Sequence, residues 1–366
     1  MIETLPVPAA PDPGPAPAPA RNFNLDAVRA GAITMVVLAH IAVMSPVRHP
    51  FALTLAWIGQ FGVDLFFVLS GWLIGGLFWR EWLREGTVRW SRFFLRRALR
   101  TVPPYLVALL LAWIAVRLFA PERAQFDAGY LVFLQNYYAK IPFFSVSWSL
   151  CVEEHFYFFL PVLVLLTLRR RPALPVLFLS LVLLSPLCRT FLEHTRTIDE
   201  FDRSVLATHL RLEGLVLGFW AAYLSACRPD SWRRIARVFP WLAAPALGFV
   251  LLSPLVPSRL FYDWGFTALA LSFLIWVGWA AESRAWRLPA AAGLRRLAGM
   301  SYSIYLTHSL VIHVARNLAF RGAQWAELVY WPLVLGGIIG VGYGFSLLVE
   351  KTSLQLRERL LPAHAG

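Results

Sequence analysis

Residues 26–46 read DAVRAGAITMVVLAHIAVMSP. Beyond Arg29 this run is apolar apart from His40 and a few small polar residues, and it has the roughly 20 residues that a helix needs to cross a bilayer. A helix can do so because it satisfies its own backbone hydrogen bonds away from water. The pattern recurs along the chain. Further apolar runs lie at 53–79, 102–119, 148–168, 172–188, 207–227, 238–255, 263–281, 298–319 and 325–349, with Arg-rich joints between many of them. Segment 128–138 is apolar but short and reads as a re-entrant or interfacial piece. The sequence predicts an all-α, polytopic integral membrane protein with about ten transmembrane helices.

Composition points the same way. Of 366 residues, 58% are hydrophobic and only 15% charged, against roughly 25% charged in an ordinary soluble domain. Mean hydropathy is +0.59. This excludes a soluble globular enzyme, a disordered chain and a nucleic-acid binder whose basicity is its main feature. Residues 1–21 are rich in Pro and Ala and predict a disordered cytoplasmic tail, because proline removes helix donors. Residues 22–351 form one membrane domain, and 352–366 a short cytoplasmic tail. Cys151, Cys188 and Cys227 have no metal-type spacing and read as packing residues. No metal site is expected.

The net charge of +13 comes from 34 Lys and Arg against 21 Asp and Glu. With the N-terminus placed inside, 22 of the 34 basic residues fall on the cytoplasmic side and ten on the other, leaving Arg29 and Arg211 within spans. By the positive-inside rule both termini are expected to be cytoplasmic. Most of these arginines are topology signals.

Ionisable residues within spans are costly and mark function by default. They are Asp26, Arg29, His40, Asp64, Glu153, Glu154, His155, His209, Arg211, Glu213, His308 and His313. Eleven residues separate Arg29 from His40, which puts both on one stripe of a helix about 16 Å apart. His40 lies deeper and is suited to move a proton near neutral pH. In the second span Asp64 needs a partner, and Ser70-Gly71 suits either close helix approach or ligand contact. Arg92, Arg96 and Arg100 follow i, i+4, i+8 spacing, with Arg97 adding Arg-x-x-Arg. They form a basic face suited to a polyphosphate or to anionic lipid headgroups. Pro103-Pro104 is expected to end that helix and start a new span. Ser301, Tyr305 and His308 share one helix face, and the polar set together suits a hydroxylated, sugar-like molecule.

These stretches resemble the acyltransferase type 3 family of bacterial membrane acyltransferases. The resemblance covers about residues 22–350. It rests on Leu25-Asp26-Ala-Val-Arg29-Ala30 with His40, Gly62-Val-Asp64-Leu-Phe-Phe-Val-Leu-Ser70-Gly71, Arg96-Arg97-Ala-Leu-Arg100 with Pro103-Pro104-Tyr105, Trp148-Ser149-Leu-Cys-Val-Glu153-Glu154, Arg211-Leu-Glu213-Gly214, and Tyr302-Ser-Ile-Tyr305-Leu-Thr-His308. Trp72, Cys151 and His155 depart from the family's more usual Phe, Ser and Gln, and Thr352 stands where Pro often follows Glu-Lys. The first three bear on substrate identity. The chain ends soon after its last span, so the extracytoplasmic hydrolase-like domain of some members is not expected.

The resemblance implies transfer of an acyl group, acetyl being the expected one, from cytosolic acyl-coenzyme A to a hydroxyl of a glycan or glycolipid acceptor. It implies no tightly bound cofactor and no nucleic-acid partner; the coenzyme A thioester is a co-substrate, and membrane lipid surrounds the chain. On this reading Arg96, Arg97 and Arg100 hold the coenzyme A phosphates, and Arg29 lines the route of the pantetheine arm. His40 is the general base, with Asp64 or Glu154 orienting its ring; a covalent acyl-His40 relay is a variant. Ser70, Arg211, Tyr305 and His308 contact the acceptor. The alternative from another class is a proton-coupled transporter or flippase of a lipid-linked substrate, although no inverted repeat is visible.

Overall fold

The computed structural model describes residues 22–45, 50–138, 140–169, 174–193, 205–318 and 327–362. The Pro/Ala-rich stretch 1–21 lies outside the described residues. Among the described residues every regular element is helical. The helices are α1 (Phe23–Met44), α2 (Pro50–Gln60), α3 (Gly62–Glu85), α4 (Trp90–Phe119), α5 (Trp148–Arg169), α6 (Leu174–Glu193) and α7 (Glu213–Cys227). They continue as α8 (Pro229–Ala236), α9 (Phe239–Leu252), α10 (Phe266–Glu282), α11 (Ala291–Leu318), α12 (Glu327–Phe345) and α13 (Lys351–Leu360).

Each of the ten predicted spans falls on helical structure, but the count of about ten is not confirmed. Among the described residues six helices are long and apolar enough to cross a bilayer, or seven if the pair Pro229–Ala236 and Phe239–Leu255, bent by 59°, is one span. The other three predicted spans correspond to α5, α7 and α11. α7 has only 15 residues. α11 carries two buried serines, Thr307 and His308 within a run opened by Arg295 and Arg296, and α5 is described only in part. The polar residues that mark a site also lower the hydropathy by which a span is recognised.

The bundle is drawn tight by small residues. α3 and α7 form the most extensive helix pair. A Cβ placed on Gly71 would lie 2.2 Å from the Leu215 carbonyl oxygen, and one on Gly218 would lie 2.2 Å from that of Val68. Only hydrogen fits at either position, as where backbones touch inside membranes. Ser70-Gly71 therefore serves two neighbours, since Gly71 faces α7 while Ser70 faces α5. α1 packs on α2, α3 and α11. Its start is fixed by Asn24, whose amide donates to the carbonyls of Ala280, Ser283 and Arg284 at 3.0–3.2 Å and accepts from Trp286 N–H at 2.8 Å.

Two features differ from expectation. First, Pro103-Pro104 does not end a helix: α4 runs unbroken through both prolines for 30 residues. Pro103 leaves the carbonyl of Leu99 without its helical donor. That carbonyl accepts instead from the Ser353 hydroxyl on α13, and two residues further on Tyr302 braces the helix by donating to the Thr101 carbonyl at 2.8 Å. Substitute donors let a helix carry proline in a membrane.

Second, residues 120–147 do not stay at the end of α4. They return along it in short turns, Pro121–Arg123, Ala128–Tyr130, Gln135–Tyr137 and Ser145–Ser147. The Tyr105 hydroxyl, midway along α4, donates to the Tyr130 carbonyl at 2.8 Å and accepts from Gln135 at 3.1 Å. Phe133 and Phe144 adopt left-handed backbone, at φ 59° and 51°, with rings packed 4.6 and 6.0 Å from that of Tyr105. Such backbone costs about 1–3 kcal/mol per residue and persists where packing over-determines it. At the exposed turn of this segment the Tyr138 hydroxyl and the Gly129 N–H hold the Asp127 carboxyl below its usual range. Because the segment returns this far, α5 starts beside the middle of the bundle: Ser149 meets Tyr305 of α11 at 2.5 Å.

Candidate active site

A cavity of about 170 Å³ opens between α1, α3, α4, α5 and α11. Arg29 comes from α1, and Ser70, Leu73, Ile74 and Leu77 from α3. α4 supplies Arg97 and Arg100, α5 supplies Ser149, Glu153 and Glu154, and α11 supplies Ser301, Tyr302 and Tyr305. Phe133 closes one side from the returning segment. Of the residues singled out in the sequence, the cavity thus gathers Arg29, Ser70, Arg97, Arg100, Glu153, Glu154, Ser301 and Tyr305.

One wall is an ionic network. The Arg97 guanidinium lies 3.2 Å from Glu153 and 3.6 Å from Glu154, and 3.2 Å above the Tyr157 ring. Ser70 bridges Tyr157 at 2.6 Å and Glu153 at 3.2 Å. Thr101 donates to Glu154 at 3.3 Å. Arg97 is thus neutralised by adjacent carboxylates, although the i, i+1 spacing alone sets their side chains about 100° apart. Arg100 is exposed at the mouth and makes no ion pair with a described residue.

The basic face predicted on α4 is therefore divided. Arg96 lies away from the cavity, 3.0 Å from Glu358, and donates to the Leu361 carbonyl; Arg92 donates to the Pro362 carbonyl. Both hold the end of α13, where unsatisfied carbonyls and the helix dipole favour cations. The sequence shows the cations but not the second helix end that takes two of them.

At the inner end of the cavity Tyr305 donates to the Val146 carbonyl at 2.8 Å. One turn along α11, the His308 ring lies 5.7 Å from that of Tyr305 and 4.7 Å from that of His40, edge to face. The Nδ1 of His40 bonds the Val36 carbonyl at 2.8 Å. His40 and His308 are thus brought together beside the cavity. The expected contact between His40 and a carboxylate is not formed among the described residues, because Asp64 and Glu154 are engaged elsewhere.

Asp64 is paired with Arg211 at 2.7 Å, and both are buried. Beside them Arg189 is fully buried, 2.8 Å from Glu213, and it also donates to the carbonyls of Asp263 and Leu210 and to Thr267. The sequence sets Arg189 just past the 172–188 span, on the outer side. The structure corrects this, since α6 continues to Glu193 and carries Arg189 inside. The unmatched carboxylate of Glu213 was the available signal. Glu350, which accepts from Ser303, was likewise missed. Tyr157 could have been found from its i, i+4 spacing to Glu153. His155 bonds Thr208 at 2.6 Å, and His209 stacks on Tyr137 at 5.9 Å, away from the network. No group of three or more His, Cys, Asp or Glu among the described residues could hold a metal ion.

A helical membrane fold enclosing a cavity lined by arginines and carboxylates, with an imidazole pair beside Tyr305 of its wall, defines the class as an integral-membrane protein with a polar internal site. The family model described as an acyltransferase domain, of type 3, matches residues 22–347, and the chain belongs to that family. The chain is similar to "Putative O-acetyltransferase" of Staphylococcus aureus strain COL, at 26% identity over 328 residues, covering 81% of this chain and 52% of that protein. It is similar at 26% identity over 326 residues to O-acetyltransferase OatA of Staphylococcus aureus strain NCTC 8325, again covering 81% and 52%. The chain spans about half the length of the curated relatives it matches. No solved structure matches it significantly.

Proposed function

We propose that this chain is a membrane O-acyltransferase that moves an acyl group, acetyl in the first instance, from acyl-coenzyme A to a hydroxyl of a glycan or glycolipid. Family membership and the printed names of the relatives support O-acyl transfer. The observation that carries the reading is the cavity itself, which joins Arg100, without an ion pair among the described residues, to Tyr305, whose ring lies 5.7 Å from that of His308.

In this reading Arg100 and Arg29 meet the coenzyme A phosphates, since guanidinium binds phosphate through paired donors. Arg97 shapes the wall and cancels the charge of Glu153 and Glu154, which would otherwise repel the phosphates. Leu73, Ile74 and Leu77 cover the pantetheine arm, and the thioester lies near Tyr305. His40 takes the proton of the acceptor hydroxyl on Nε2. The hydroxyl oxygen bonds to the thioester carbonyl carbon, the carbon–sulfur bond breaks, and the thiolate recovers the proton from His40. The basic joints support a cytoplasmic donor side, both termini inside, and residence in the bacterial cytoplasmic membrane.

Mass spectrometry of surface glycans and glycolipids tests this, in cells with the gene, without it, and with His40→Ala. Loss of one acyl mass per modified unit is expected in the deletion and in His40→Ala, because removing a general base slows transfer by about 10²–10⁴-fold. Full modification by a folded His40→Ala protein would remove the base assignment. Glycans and lipids unchanged in mass but displaced in location would favour transport.

A further inference from the structure

The face of α3 that lines the cavity does not stop at the cavity's mouth. Phe66, Leu73 and Leu77 line the cavity at i, i+7 and i+11. At 100° per residue, Arg80 and Arg84 follow at i+14 and i+18, and all five fall within about 60° of arc. The stripe thus changes from apolar to cationic as the helix nears its end at Glu85. Arg84 lies 2.7 Å from Glu85, a carboxylate shared with Arg89 at 3.3 Å. Arg80 is exposed and makes no ion pair with a described residue. Its guanidinium folds back one turn over Gly76, with its terminal nitrogens 3.3 and 3.5 Å from where a Cβ would stand. The missing side chain therefore leaves the cation room to lie along the helix toward the cavity. The positive-inside bias accounts for an arginine in this joint. It does not account for an uncommitted one on the cavity's own face.

We propose that Arg80 binds the 3′-phosphate of coenzyme A, as a nucleotide subsite just outside the cavity. The inference rests on the reading of acyl-coenzyme A as the donor. The lengths agree. In that reading the thioester lies near Tyr305, whose ring is 6.3 Å from that of Phe66, and the pantetheine arm passes Leu73, Ile74 and Leu77. Along the helix axis Leu77 is about 16 Å from Phe66, and Arg80 about 21 Å. About 21 bonds join the sulfur of coenzyme A to its 3′-phosphorus, which at the advance per bond of an extended chain span at most about 25 Å. The 3′-phosphate thus reaches Arg80 with slack for a bend at the ribose. Arg29 and Arg100 line the cavity itself and are left to the pyrophosphate, which is nearer the thioester. A phosphate monoester carries close to two negative charges near neutral pH, and a guanidinium meets it through paired donors. The subsite makes and breaks no covalent bond. It adds grip at the far end of the donor and selects donors that carry this phosphate. A lipid phosphate offers Arg80 the same chemistry but has no link to the donor.

The test removes the phosphate and the guanidinium singly and together. Acetyl-coenzyme A and acetyl-dephospho-coenzyme A, which differ only in the 3′-phosphate, are labelled in the acetyl group. Each is given to inverted membrane vesicles from the protein's own host, which hold the full-length protein and the native acceptor. Initial rates of label incorporation are read against donor concentration. In the parent, loss of the 3′-phosphate should raise KM about 5–10-fold, between an exposed ion pair and a charge-assisted hydrogen bond. Arg80→Ala should raise the KM for acetyl-coenzyme A by the same factor and leave that for acetyl-dephospho-coenzyme A within about twofold. The kcat should hold for both donors, as when an interaction is made equally in ground and transition states. Arg80→Lys keeps the charge without the fork and should fall between parent and Arg80→Ala. A KM raised equally for both donors, as expected if Arg80 serves the fold or a lipid headgroup, overturns the proposal, and so does a KM unchanged for both. A parent that transfers label from neither donor overturns the donor reading itself. A parent that uses both donors with equal KM overturns only the subsite.

Discussion

Two groups of opposite charges lie within this bundle, and they differ in what surrounds them. Arg189 with Glu213 and Arg211 with Asp64 are sealed between α3, α6, α7 and α10, with side-chain exposures of 0%, 3%, 6% and 7%. Arg97 with Glu153 and Glu154 lines a cavity, at 13%, 19% and 23%. The residue types and distances are alike. In the sealed group the cations are enclosed by protein, Arg189 by four further hydrogen bonds and Arg211 by the Phe266 and Trp148 rings. In the cavity group the ions share an edge with open space, where a ligand's charge can add to theirs. Pairing alone therefore does not separate scaffold from site; access does.

Breaking each group should expose the difference. The largest effect is expected from Arg189→Ala, which strands the Glu213 carboxylate and three further acceptors in the interior. Losing one partner of a buried pair costs about 3–5 kcal/mol. The detergent-solubilised protein should melt far below the parent or fail to accumulate, and a parent-like Tm would show that water or another group can replace the guanidinium.

Next is Arg97→Ala, which should leave the fold largely intact but uncover two carboxylates on the proposed path of the donor. The KM for acetyl-coenzyme A is expected to rise roughly tenfold or more, and Glu153→Gln added to it should restore part of that loss. An Arg97→Ala defect that Glu153→Gln does not relieve would mean Arg97 meets the phosphates directly.

The smallest effects separate the two ends of the basic face. Arg100→Ala should raise donor KM several-fold, about 1 kcal/mol, with Tm unchanged and with a defect that shrinks in high salt. Arg96→Ala should leave donor KM alone and lower stability by no more than about 1 kcal/mol, the scale of a half-exposed pair at a helix end. Equal KM effects from both would return Arg96 to the site.

The helical class and the family were legible because both are written locally. A bilayer-length apolar run, an Arg-x-x-Arg and paired glutamates need no partner to be seen. The candidate site was legible as a set of residues but not as a set of pairs. The sequence places Arg96, Arg97 and Arg100 on one helix, yet nothing local says that α13 claims the first, that Glu153 and Glu154 claim the second, and that the third stays exposed. Asp64 was expected beside His40 because both are rare charges on neighbouring spans, but Arg211 takes it. Arg189 was misplaced because a positive-inside tally treats every arginine at a span's end as facing water. Pro103-Pro104 was read as a stop because the hydroxyl that relieves it lies 254 residues away.

That last contact also has a bearing on time. A ribosome adds about 5–20 residues per second, so Ser353 is made roughly 10–50 s after the carbonyl of Leu99 that it serves. Until then α4 holds its two prolines without that hydroxyl, and Arg92 and Arg96 have no helix end to grip. The arginine-bearing mouth can assemble in full only once Ser353 and the helix that carries it have been made. Throughout that interval, chaperones and insertion machinery of the membrane meet a bundle with its basic mouth still unclosed.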